Sequence, residues 1–159
     1  MYVKACCVTG HRDIPYSQIE RVYAALQREV ESAIADGYTD FISGFARGID
    51  QYFAGIVAQY KANNPAIRLI AAIPFRKREE ELMSLVHTKS LLNMCDEIHV
   101  LQEEYHLSAY FRRNRFMVEH SDRVIAVYDG RTKGGTAATV QYANKLKKDV
   151  RTILMEPHT

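Results

Sequence analysis

The sequence predicts a Rossmann-like α/β fold, a three-layer α/β/α sandwich built on a mainly parallel sheet. Three observations carry that expectation. Short apolar, β-branched runs alternate with longer stretches of helical period along the chain. Strands separated by helices need crossover connections, and right-handed crossovers cover both faces of a parallel sheet. The runs Phe41-Ile42, Leu69 to Ile73 and Val124 to Val127 are apolar on consecutive residues, the pattern of strands buried on both faces.

Val3 to Val8 reads as the first strand, followed by the turn-rich Thr9-Gly10-His11-Arg12-Asp13. Ser17-Gln18-Ile19-Glu20 has the form of a capping box, and Ile19, Val22, Tyr23, Leu26, Val30 and Ala33 continue at helical spacing to a stop at Asp36-Gly37. Thr39 to Ser43 is the second strand. Tyr52, Phe53, Ile56, Val57 and Tyr60 mark a second helix that ends at Asn63-Asn64-Pro65. Ile67 to Ile73 is the third strand. Leu82, Leu85, Val86 and Leu92 predict one third helix, entered through the charged stretch Arg76 to Glu81. Glu97 to Leu101 is the fourth strand, Ser108 to Ser121 the fourth helix, Arg123 to Tyr128 the fifth strand, Gly135 to Lys147 the fifth helix and Val150 to Met155 the last strand. No repeat, linker or low-complexity segment interrupts the series, so one domain over 1–159 is expected.

Composition narrows the function classes. The chain has 159 residues, 47% hydrophobic and 25% charged, the balance of a globular protein. A net charge of +2 is low for a nucleic-acid binder, so any affinity for DNA must come from a local patch. No apolar run reaches the roughly 20 residues of a membrane helix. The start Met1-Tyr2-Val3-Lys4 enters a strand-like run without a signal-peptide layout, so a cytoplasmic protein with no membrane partner is expected. Cys6, Cys7 and Cys95 lack a C-x-x-C spacing and read as small buried hydrophobes; on a strand, Cys6 and Cys7 point to opposite faces. The histidines show no ligand spacing, and neither a metal site nor a resident cofactor is predicted.

Ligands of open α/β sheets bind outside the carboxyl ends of the strands, and four polar, glycine-bearing segments fall there. In Thr9-Gly10-His11-Arg12, Gly10 permits close backbone approach, Thr9 offers a hydroxyl and Arg12 a partner for phosphate; a plain turn is the competing reading. Ser43-Gly44-Phe45-Ala46-Arg47-Gly48-Ile49-Asp50 leads into the second helix, whose amino-terminal amides suit an anion, with Arg47 adding charge. Asp50 has two open roles, capping that helix or accepting from a ribose hydroxyl. Arg112-Arg113-Asn114-Arg115 interrupts Tyr110, Phe111, Phe116 and Met117, so at least one arginine must cross toward the sheet; Arg113 or Arg115 is the candidate. Asp129-Gly130-Arg131-Thr132-Lys133-Gly134-Gly135-Thr136 is a second glycine-rich helix start. It lacks the G-x-x-x-x-G-K-[ST] spacing, and no G-x-G-x-x-G follows the first strand, which disfavours Walker-type and ordinary NAD binding.

Together these segments resemble the SLOG superfamily, which groups the DprA DNA-processing proteins, the LOG (lysine-decarboxylase-like) proteins and the small bacterial YpsA-like and YoqJ-like proteins. Ile42 to Asp50 looks like the S-G-x-A-x-G-I-D signature of the DprA branch, and Arg113-Asn114-Arg115 like its R-N-R segment. Gly134-Gly135-Thr136 occupies the place of the superfamily's glycine-rich turn, and Thr9-Gly10-His11-Arg12 with the short length fits the YpsA-like branch best. The resemblance implies a Rossmann-like fold that binds a nucleotide or nucleotide-derived phosphate ligand, as a sensor or sequestering protein. It implies two alternatives: N-glycosidase-type hydrolysis of nucleotides as in LOG proteins, and single-stranded DNA binding as in DprA. In the LOG motif P-G-G-x-G-T-x-x-E, this chain has Lys133 for the proline, Ala137 for the third glycine and Gln141 for the glutamate, which argues against LOG-type chemistry because an amide does not titrate usefully. A hydrolase would then draw its acid–base group from Asp50, Glu119 or Asp129. DNA binding would use Arg76, Lys77, Arg78 and the fourth-helix arginines; Tyr105 and Tyr110 offer rings for stacking, though covering the pocket or forming a subunit contact is the favoured role for them. The superfamily's frequent homodimers make self-association a further expectation of the resemblance alone.

Overall fold

The computed structural model describes residues 2–156; Met1, the first residue of the amino-terminal run, lies outside them. The elements in chain order are β1 (Ala5–Gly10), α1 (Tyr16–Ala35), β2 (Asp40–Ser43), α2 (Ile49–Asn63), β3 (Arg68–Ile73), α3 (Arg76–Met83), α4 (Val86–Asn93), β4 (Glu97–Val100), α5 (Ala109–Glu119), β5 (Arg123–Tyr128), α6 (Gly135–Lys145) and β6 (Asp149–Leu154). The strands form one sheet in the order β4-β3-β2-β1-β5-β6, and every pairing is parallel.

Period-2 alternation sorts the strand side chains onto two faces. On one, Val22, Leu26 and Val30 of α1 and Phe53, Ile56 and Val57 of α2 pack against Cys6, Val8, Phe41, Leu69 and Ile125. On the other, Met117 and Val118 of α5 and Ala143 of α6 pack against Cys7, Ile42, Ile70 and Val124. The adjacent cysteines therefore fall into different layers, as a strand dictates. Each fully buried aliphatic or phenyl side chain contributes roughly 1.5–3 kcal/mol, so the central strands β1, β2, β3 and β5 anchor the structure. β4 and β6, at the edges, are buried less completely.

Several local expectations are corrected. The first strand runs from Ala5 rather than Val3 and continues through Gly10, because its ladder with β5 extends to the Gly10–Val127 pair. The Ser17–Glu20 capping box does not form: α1 begins at Tyr16 behind Pro15, whose φ of −53° already suits a helix start, and no side chain caps it. Asp50 is not the cap of α2 either; that position is Gly48. The third helix divides into α3 and α4. Ser84 Oγ donates to the Glu81 carbonyl at 2.6 Å and Thr88 Oγ1 to that of Leu82, local bonds that compete with a continuous helix. Leu85 and Val86, which marked the single predicted helix, are exposed at this break.

The chain leaves β1 toward β2, β3 and β4, then crosses back to β5 and β6 on the other side. The order reverses between β1 and β5, and the carboxyl ends of these two strands are where such a sheet leaves a crevice.

Candidate functional site

A cleft of about 640 Å³ opens at that reversal point, within the roughly 300–1,000 Å³ usual for small-molecule sites. Thr9, Gly10, His11, Arg12, Asp50, Arg113, Asn114, Asp129, Gly134, Gly135 and Thr136 all line it. Among these expected residues, ones as far as 127 positions apart in the chain thus meet in one concavity (Thr9 against Thr136). The expected residues Ser43, Gly44, Arg47, Gly48 and Arg115 do not line it.

These exceptions have physical reasons. Ser43 is fully buried and braces the loop into α2: its Oγ donates to the Asp50 carbonyl at 2.8 Å and accepts the Phe45 amide at 3.2 Å. Gly44 lies behind Arg113, which takes the cleft-facing place. Gly48 has φ +86°, and a Cβ there would stand 2.4 Å from the Arg12 carbonyl, so this glycine lets the loop after β1 rest on the start of α2. The turn at Gly48 sends Arg47 outward, where it pairs with Asp13 at 2.9 Å on the surface. Arg115, two residues beyond Arg113 on α5, points to another face and sits among the rings of Phe111 and Tyr142.

Two buried groups of opposite charge, Arg113 and Asp50, lie at the floor of the cleft without a direct ion pair between them among the described residues. Arg113 Nη1 donates to the Gly44 carbonyl at 2.7 Å and its Nε to Asn114 Oδ1 at 2.9 Å, while Nη2 has no hydrogen bond among the described residues. Burial lowers the Arg113 pKa, and nearby Asp50 opposes that shift. Asp50 Oδ2 accepts the Ala46 amide at 3.2 Å. Burial raises the Asp50 pKa, with Arg113 pulling the other way. The wall carries a second cation. Arg12 lies 5.2 Å from the Tyr110 ring centroid and forms no ion pair among the described residues.

The opposite wall comes from the β5–α6 loop. Arg131 Nε donates to Asp129 Oδ1 at 2.8 Å, and this pairing holds the Asp129 carboxyl well below the usual carboxylate range. The Asp129 amide donates to His11 Nε2 at 3.3 Å, which ties the two loops together. The α6 amino terminus is capped by Gly134 with φ +107° and no side-chain hydrogen bond. Its first amides therefore lack intrahelical partners and carry the positive end of the helix dipole.

Tyr110, expected to cover the pocket, lines the cleft, and so do Arg131, Asp13 and Glu156, which were not among the expected binding residues. Arg131 lay inside a segment already singled out. Glu156 had no sequence signal; it arrives because β6 pairs with β5 and Gln18 holds the following chain through the Glu156 amide at 3.0 Å. Of the three acids considered for hydrolysis, Asp50 and Asp129 line the cleft, whereas Glu119 is outside it and accepts from Tyr142 at 2.7 Å. Gln141 points away from the cleft as well, its amide donating to the Thr132 carbonyl at 3.3 Å. The basic stretch proposed for DNA is largely neutralised: Arg76 pairs with Glu79 and Glu103, and Arg78 with Glu81. Tyr110 is half-buried edge-on against Phe75 rather than free for stacking. Among the described residues no cluster of three or more His, Cys, Asp or Glu is placed to hold a metal, and no helix is long and apolar enough to cross a membrane.

Comparisons with known proteins agree with this architecture. The profile of the YspA SLOG family (YpsA) matches residues 6–157. The SPbeta prophage-derived protein YoqJ of Bacillus subtilis is 33% identical over 119 residues, covering 66% of this chain and 69% of its own. A UPF0398 protein of Bacillus thuringiensis is 24% identical over 154 residues, covering 90% and 84%. Two solved structures share the fold. The X-ray structure of TM1055 superposes with a TM-score of 0.61 at 16% identity, over 93% of this chain and 72% of that one. DNA processing protein A from Helicobacter pylori, from work on its single-stranded DNA binding mode, superposes with a TM-score of 0.65 at 17% identity, over 96% and 66%.

Proposed function

Because the chain belongs to the YspA SLOG family, we propose that it binds a nucleotide or nucleotide-derived phosphate ligand in the cleft between β1 and β5, as a sensor or sequestering protein in the cytoplasm. One observation carries the reading: unpaired positive groups from three separate parts of the chain face a single cleft. They are Arg12, Nη2 of Arg113 and the open first turn of α6. Amides at a helix start and a guanidinium fork both suit phosphate oxygens. Thr9 and Thr136 add hydroxyls beside them, and His11 and Tyr110 contribute ring edges and apolar surface to the walls.

Buried Asp50 lies near Arg113 without forming a direct ion pair with it among the described residues, so the guanidinium is not covered by a carboxylate before a ligand arrives. The other wall carries the Asp129–Arg131 pair. Arg131 is half in solvent and free to exchange its carboxylate for a phosphate. The free cysteines Cys6, Cys7 and Cys95 are in keeping with a reducing compartment.

Thermal unfolding with a panel of AMP, ADP, GMP, NAD and ADP-ribose tests the proposal. A ligand at a hundredfold excess over its Kd adds about 2.7 kcal/mol to the folded state, a rise of several degrees in Tm. Arg12→Ala is expected to abolish most of that rise while leaving the unliganded Tm near its starting value. No stabilisation by any member of the panel at millimolar concentration overturns the reading.

A further inference from the structure

A second concavity, of about 420 Å³, runs between α5 and α6. It meets the cleft at Tyr110, Asn114 and Gly135, which line both, so the two form one continuous depression across the amino end of α6. Its chemistry differs from that of the cleft. The Arg115 guanidinium lies 4.6 Å from the Phe111 ring centroid and 4.3 Å from that of Tyr142. Tyr142 is fixed by its hydroxyl, which donates to Glu119 at 2.7 Å. Arg115 itself forms neither an ion pair nor a side-chain hydrogen bond among the described residues, and the same is true of Lys145 farther along the groove. Phe111 is 53% exposed.

The fold needs none of this. An exposed phenyl ring and two cations without counter-ions, one of them a guanidinium close to two aromatic rings, contribute little to packing. They match what a planar heterocycle attached to phosphate requires: ring faces for stacking, and donors for the phosphate and base oxygens. The junction at Gly135 supplies the link, since a phosphate bridge can cross there close to the α6 amides and no Cβ stands in the way.

We infer that the groove is a subsite for a second nucleoside unit of the same ligand, so that the protein prefers a dinucleotide, two bases joined through phosphates, over a mononucleotide. This inference rests on the cleft binding nucleotides as proposed above.

Isothermal titration with ADP and with diadenosine diphosphate tests it, since the second probe adds a nucleoside without adding phosphate. Diadenosine diphosphate is expected to bind at least tenfold tighter than ADP to the wild type. Phe111→Ala and Arg115→Ala, both at exposed positions, are expected to reduce that preference to less than threefold while ADP affinity stays within twofold; Lys145→Ala provides a further variant outside the cleft. Equal affinity for the two probes, or a preference that survives both substitutions, overturns the inference and leaves the cleft reading intact. Failure of both probes to bind overturns the inference, and the wider nucleotide panel then decides the cleft reading. A single-stranded decanucleotide that binds tighter than diadenosine diphosphate, with an affinity falling steeply with salt, assigns the groove to a polymer and also overturns it.

Discussion

Arg113 and Gly44 lie 69 positions apart in sequence, yet the Arg113 guanidinium donates to the Gly44 carbonyl at 2.7 Å beneath the cleft. This contact pins α5, on one face of the sheet, to the loop that leads into α2 on the other. It also explains the glycine: a Cβ at position 44 would stand 2.7 Å from Arg113 Nη1 and 2.9 Å from Asp50 Oδ2. The position of the guanidinium is thus set by one small residue and by its bond to that residue's carbonyl.

Arg113→Ala is expected to destabilise the protein by about 3 kcal/mol, because it strands the Gly44 carbonyl and removes the cation that acts most strongly on buried Asp50, leaving only the weaker fields of Arg12 and Arg78. Arg113→Lys restores charge but not the fork, and recovers less than half of the loss. Urea unfolding of both variants, with Asp50→Ala and the double variant to close a cycle, measures this. The double variant should lose less than the sum of the single losses. Strict additivity would show that Arg113 and Asp50 do not support one another.

The glycines divide into two energetic classes. Gly48 combines φ +86° with a backbone oxygen 2.4 Å from the would-be Cβ, so Gly48→Ala should cost at least about 3 kcal/mol from left-handed strain and the clash together. Gly55 lies within α2 with ordinary φ and nothing within 4 Å of its would-be Cβ. Gly55→Ala should therefore stabilise by roughly 0.5–1 kcal/mol. Chemical denaturation of the pair checks both signs at once.

What the sequence revealed follows the same physics. Consecutive apolar residues such as Leu69 to Ile73 exposed the buried strands, and polar glycine-bearing turns after them marked the edge where the cleft lies. Direction was harder. Arg47 carries the expected charge, but only the reversed backbone at Gly48 shows that it turns toward Asp13. Arg113 and Arg115 look equivalent in a run of arginines; two positions on a helix differ by about 200°, which buries one and sends the other to the α5–α6 groove. Leu85 and Val86 fitted a helical period, yet the Ser84 and Thr88 hydroxyls break the helix under them. Glu156 enters the cleft through strand order and the Gln18 contact, long-range relations that local pattern does not encode.

At the opposite end of the sheet, buried Arg123 bridges Asp36 at 2.7 Å and Asp149 at 2.9 Å. The Asp36 carboxyl is held below its ordinary pKa by Arg123, and that of Asp149 by Arg151 and then Arg123. A lowered folded pKa contributes stability that is present above the unfolded value, about 3.9, and is lost as pH falls through the folded value. The raised Asp50 pKa acts in the reverse sense: its contribution is full at low pH and is lost as pH rises through the folded value. The urea midpoint is therefore expected to fall on acidification below about pH 4. Asp149→Asn should lower the midpoint at neutral pH and flatten the acid limb. An acid limb of unchanged slope in that variant would remove the Arg123 cluster as its cause.

The three thiols should report how the layers open. Burial pushes Cys7 up to about 12 and Cys95 to about 12, and moves Cys6 well upward too. At pH 8 a thiol with that pKa is ionised in only about one molecule in ten thousand, and thiolate is the reactive form. Cys6 and Cys7 sit on the central strand β1 with 0% and 1% exposure, so a reagent reaches them only when the sheet itself comes apart. Cys95 follows the end of α4 and is only partly covered, so fraying of that helix suffices to uncover it. Labelling with a disulfide reagent in native buffer, read by mass spectrometry, should therefore modify Cys95 first. Cys6 and Cys7 should follow together, at a rate that tracks global unfolding as urea is added. Equal rates at Cys7 and Cys95 in native buffer would mean that β1 opens as readily as a helix end, which is incompatible with its place between two packed layers.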